Sequence, residues 1–86
     1  MLQRGSVVTA AAGKEKGRLL AVLAADADGL LLADGRKRRI ERPKRKNPRH
    51  AAEAGVILDE AAMATNRELR RALAALTADP GARAIT

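Results

Sequence analysis

Apolar positions fall in short runs through the first half of the chain, and only near the end do they take up helical spacing. Residues 2–12 alternate loosely around Val7, Val8 and Thr9, which predicts a short strand stopping at Gly13. Gly13-Lys14-Glu15-Lys16-Gly17 reads as a polar loop whose bounding glycines accept positive φ. Residues 18–25 are apolar after Arg18 and predict a second strand; 30–33 predict a third. Asp28-Gly29 between them signals a tight hairpin of type I′, because that turn needs positive φ at both central positions. The same signal recurs at Asp34-Gly35 and predicts a fourth strand over 37–42, completing a meander. On that strand Arg38 and Arg42 would share the face of Ile40. Pro43 and Pro48 donate nothing to a ladder, so the stretch between them is at best an edge strand or an extended crossing.

The pattern changes after residue 52. Residues 53–64 read as a connection in which a helical turn over 59–64 has weak support. Thr65-Asn66-Arg67-Glu68 is a capping box, and Leu69, Ala72, Leu73 and Leu76 follow at i, i+3, i+4 and i+7. A helix over 66–77 follows, with 78–86 as a frayed tail after Asp79-Pro80-Gly81. The organisation predicted is a β unit over 1–52, a connection over 53–64, a helix over 65–77 and a flexible tail over 78–86. The fold class expected is mainly β with a C-terminal α-helix. A β unit this small, filled only by Val, Leu, Ile and Ala, needs the helix to cover an open face.

Composition narrows the function. The 86 residues contain no Cys, Phe, Tyr or Trp and one His. Disulfides, thiolate metal sites and a histidine cage are therefore excluded, and no metal or cofactor is expected. The absent aromatics remove the base-stacking platform of single-strand readers. The longest wholly apolar run, residues 19–25, is far short of a membrane span of about 20 residues. A cytoplasmic, soluble, monomeric protein without a signal peptide is expected. Asp26, Asp28 and Asp34 flank turn glycines, so turn chemistry explains them better than acid–base work. Neither a nucleophile with its base nor a Walker loop is apparent, so an enzyme with a small-molecule substrate is not expected.

Charge supplies the positive signal. Of 17 Lys and Arg, nine lie in residues 36–50: Arg36, Lys37, Arg38, Arg39, Arg42, Lys44, Arg45, Lys46 and Arg49, against the single acid Glu41. The rest of the chain sums to −1 within a total of +7. Such clustering is the footprint of a polyanion site, and its arginine content favours bidentate phosphate contacts. The loop residues Gly13, Lys14, Lys16, Gly17 and Arg18 are a second candidate, with backbone able to approach a phosphate closely. His50 suits the end of the β unit better than the ligand. Arg67, Arg70 and Arg71 read as the wet face of the helix, with a capacity to extend the footprint.

These residues also carry a resemblance. Gly5-Ser6-Val7-Val8 followed by Gly13-x-x-Lys16-Gly17-Arg18 resembles the KOW motif, a strand, a glycine-bounded basic loop and a second strand. Asp34-Gly35, then Arg39-Ile40-Glu41-Arg42-Pro43-Lys44-Arg45-Lys46 and Arg49-His50, is similar to small bacterial KOW-domain RNA-binding proteins, relatives of KOW-containing large-subunit ribosomal proteins of archaea and eukaryotes. Asn66-Arg67-Glu68-Leu69-Arg70-Arg71-Ala72-Leu73 resembles their C-terminal helix. The resemblance spans most of residues 2–76. It implies a small SH3-like β-barrel that binds RNA, often ribosomal RNA of the large subunit, in translation. The alternative it leaves is a KOW module that contacts protein partners in transcription or translation. An anionic membrane is a poorer partner for the basic block, which has no amphipathic helix or lipidation signal beside it.

Overall fold

The computed structural model describes residues 2–11, 13 and 16–78. Lys14 and the tail 79–86 therefore lie outside the described residues. Five strands form one antiparallel sheet: β1 (Ser6–Ala10), β2 (Leu19–Asp26), β3 (Gly29–Ala33), β4 (Lys44–Lys46) and β5 (Ala51–Ile57), in the order β4-β3-β2-β1-β5. Turns of 3-10 helix occupy Pro48–His50 and Ala61–Met63, and α1 covers Asn66–Ala78. The described residues are mainly β with one C-terminal α-helix. Its sheet is not closed, because among the described residues β4 and β5 form no ladder with each other.

Both faces of the central strands are apolar, which sets the architecture. Val7, Ala21 and Ala33 point to one side, where Met63, Leu69 and Leu73 complete a buried cluster. Val8, Ala10, Leu20, Val22, Leu30 and Leu32 point to the other, at 2% exposure or less. The helix covers only the first face. Burial on the second requires the sheet to curl around its own side chains, with Leu2 and Ala51 packed against them. Register shifts between Ser6 and Val8 and between Val22 and Ala24 provide the bends. Arg4 fastens the second bend: its guanidinium forks onto Glu60 at 2.8 and 2.9 Å and donates to the Leu23 carbonyl at 2.8 Å. This bond holds the Glu60 carboxyl below its usual range.

The helix begins where its capping signal predicts. Thr65 Oγ1 accepts from the Glu68 amide at 3.1 Å, and Leu69 and Leu73 are buried while Leu76 packs at the margin. The first three strands also match their apolar runs. Three details differ. The β2–β3 turn is centred on Ala27-Asp28, since Asp26 pairs with Gly29, and no described residue other than glycine has positive φ, so it is not type I′. An Asp26 carboxylate oxygen accepting from the Asp28 amide at 2.8 Å organises it instead.

The expected strand over 37–42 is absent; the fourth strand lies at Lys44–Lys46, on the sheet edge between the prolines. The alternation that would group Arg38 and Arg42 with Ile40 thus does not apply. The connection expected over 53–64 begins inside β5, which pairs with β1 through Val8–Glu53, Thr9–Ala52 and Ala10–Ala51.

Leu69→Ala is predicted to cost about 2–5 kcal/mol, measured by denaturant unfolding, and truncation after Ala64 to lower the melting temperature. An unchanged melt in the truncated chain would mean the helix does not cover the sheet.

Candidate nucleic-acid interface

The segment from Asp34 to Pro43 replaces the expected hairpin with a wound loop, and its winding comes from one carboxylate. Asp34 Oδ1 accepts from the amides of Arg36 at 2.8 Å and Arg38 at 2.9 Å. The Arg38 carbonyl accepts in turn from the amides of Asp34 and Gly35. Every amide so engaged is lost to a ladder, which is why the strand starts only at Lys44.

The loop is docked on the first turn of α1. Gly35 has φ of +77°, and a Cβ there would collide with the Asn66 carbonyl oxygen and stand 3.0 Å from the Arg70 amide nitrogen. Only glycine satisfies both the conformation and the approach. Asn66 closes the contact from the helix side. Its Oδ1 accepts from the Ile40 amide at 2.8 Å and its Nδ2 donates to a Glu41 carboxylate oxygen. That bond, with a further one from its own backbone, holds the Glu41 carboxyl below its usual range. Ile40 meanwhile packs against the cluster beneath the helix.

This docking decides where the cations stand. Arg36 lines an open cleft of about 320 Å³ together with Gly17, Arg18 and Asp34 and, from the helix, Arg70 and Ala74. The three arginines are exposed. Among the described residues none pairs with or accepts a hydrogen bond from their guanidinium groups. At the other side of the 13–17 loop, a Cβ at Gly13 would stand 3.6 Å from Lys46 Nζ, and the Ala11 amide donates to the His50 carbonyl. Gly13 and Gly17 both have positive φ. The Lys16 amide donates to the Gly13 carbonyl at 3.2 Å and the Gly17 amide to the Ala10 carbonyl at 2.8 Å, which keeps the loop compact. Gly13 thus stands beside Lys46 and Gly17 on the arginine cleft.

The remaining cations of the block divide. Lys44 and Lys46 stand opposite Leu32 and Leu30 across β4–β3 and share the face of the inner cluster, both half-buried. Arg45, opposite Leu31, turns to the other side and meets Asp26 at 3.3 Å. That ion pair is half exposed and weak. Lys37, Arg39 and Arg42 are exposed on the docked loop, Arg38 is half-buried there, and Arg49 is exposed on the 3-10 turn capped by Asn47. His50 closes the end of the β unit through its carbonyl. Helical spacing alone puts Arg70 on a wet face; only the docking of Gly35, invisible to that periodicity, brings it into the cleft with Arg36.

Gly35→Ala is predicted to destabilise by more than about 1 kcal/mol, because it adds strain where φ is positive to a backbone collision. Native unfolding measures it, with Arg36→Ala as the neutral control. The depressed Glu41 pKa fixes a pH dependence as well. Its contribution is complete above the unfolded value of about 4.3 and is lost as pH falls through the lower folded value. The Ile40 amide resonance should therefore hold steady from neutral to mildly acidic pH and shift only in stronger acid; a shift near neutrality would contradict the contact.

No protein-family description matches the chain, and no curated protein is significantly similar to it.

Proposed function

We infer that the protein is an RNA-binding module of the KOW type, gripping structured RNA, foremost the ribosomal RNA of the large subunit, through its phosphates. In this reading the curled sheet is an SH3-like barrel with one seam left unpaired, the module works in the cytoplasm as a monomer, and no catalytic step is involved. The observation that carries it is the placement of the loop's two glycines, Gly13 beside Lys46 and Gly17 on the cleft lined by Arg18, Arg36 and Arg70. Two basic features separated in sequence thereby become neighbours, so a backbone tracking across the loop meets cations on both sides. Arginine forks there suit phosphate oxygens, and no aromatic side chain is required.

A second reading has its own observation. β5 is the outer edge next to β1, it contains a single charged residue, and Ile57 at its end is 61% exposed. Such an edge suits a protein partner that adds a strand, as a KOW module of the transcription or translation machinery would bind.

Salt titration separates the two. If four to six phosphates are engaged, log K for ribosomal RNA should fall against log salt with a slope of about −3 to −5. Replacing Arg36, Arg39 and Arg42 together should weaken binding across RNA sequences alike. A salt-insensitive association, or a complex that survives ribonuclease and high salt, would favour the protein partner.

A further inference from the structure

We propose that the cleft between the docked loop and α1 is a discrete seat for two adjacent phosphate groups, with Arg70 as a binding residue alongside Arg18 and Arg36. The proposal rests on the RNA-binding reading for its natural ligand, two consecutive phosphodiesters of one strand, while the seat itself is defined by chemistry alone.

Three features make it a site rather than a stretch of basic surface. The arginines come from three separate parts of the chain, the residue before β2, the wound loop and the second turn of α1, and line one concavity. Among the described residues no carboxylate or carbonyl takes up their guanidinium donors. Their backbone positions are fixed before any ligand arrives. Arg18 is tied by its carbonyl to the Ala10 amide at 3.0 Å, Arg36 by its amide to Asp34, and Arg70 by the close packing of Gly35 on its amide nitrogen. Preorganisation of this kind removes part of the ordering cost of binding.

Charge sets the stoichiometry. Three arginines and Asp34 give the cleft a net charge of +2, which two phosphodiesters at −1 each would neutralise. Asp34 is the unfavourable member, yet its Oδ1 is what winds the loop. An asparagine at that position retains the same oxygen acceptor and discards the charge.

Two variants with opposite signs test the seat. Arg70→Gln removes one cation from an exposed helix position while keeping a good helix former. It should weaken ribosomal RNA binding at low salt by about tenfold and reduce the magnitude of the salt slope by about 0.7–0.9. Asp34→Asn should tighten binding, with an unchanged melt showing that the loop is intact. Calorimetry with inorganic pyrophosphate provides an arm independent of RNA: the unmodified chain should bind it at one site, Asp34→Asn more tightly, Arg70→Gln markedly less.

Arg67→Gln, on the same helix but away from the cleft lining, is the control and should leave pyrophosphate binding unaltered. If Arg70→Gln and Arg67→Gln behave alike in both arms while the Arg36, Arg39 and Arg42 replacement still weakens RNA binding, the seat is refuted and the RNA reading stands. If pyrophosphate binds as described but ribosomal RNA does not, the seat stands and its polymer ligand is wrong.

Discussion

A sheet whose central strands are apolar on both faces has to be covered twice, and the described residues supply one α-helix with which to do it. Everything else follows from that shortage. The helix takes the face of Val7, Ala21 and Ala33, and the sheet curls around Val8, Leu20, Val22, Leu30 and Leu32. With no aromatic side chain available, the inner volume must be small, and aliphatic groups fill it to near-zero exposure. Close packing of this kind makes the interior sensitive to a single deleted methyl group. It also leaves the polar functions nowhere to go except the rim, where loops and the edge strand carry the cations.

The coverage of the first face has a second consequence. To seat α1 over the sheet, the chain brings its first turn against the segment that follows β3. Asn66 and Gly35 make that contact, and it holds the arginine- and lysine-rich run as a wound loop with a defined backbone. Packing and the candidate interface are therefore coupled: the residues that anchor the helix also aim Arg36. Loops that present binding groups from a rigid scaffold are the usual arrangement, and here the scaffold and the loop share one hydrogen-bonded joint.

How much of this the sequence discloses depends on whether a signal is local. The first three strands are legible because uninterrupted apolar runs meet turn residues, and α1 is legible because its cap and stripe lie within a dozen residues. β5 is not, since Ala-Ala-Glu-Ala-Gly neither alternates nor favours a strand, and only pairing with β1 makes it one. Asp34-Gly35 misleads for a related reason. The pair does mark a reversal, but the aspartate spends its oxygen on two amides downstream and delays the next strand to Lys44. The basic block is plain as a charge count, while its partition between two faces of β4 depends on register. Arg70 has no sequence signal beyond helical spacing; its place beside Arg36 is set by a tertiary contact.

On the proposed reading, Gly13, Gly17 and the cations on either side of them form one surface for a phosphate backbone. The most direct measurement is amide chemical-shift mapping of the labelled protein titrated with ribosomal RNA at low salt. The largest shifts are expected at Gly13, Gly17, Arg18, Arg36 and Lys46, with β5 undisturbed. Largest shifts along Ala51–Ile57, with the loop and Arg36 unmoved, would contradict it.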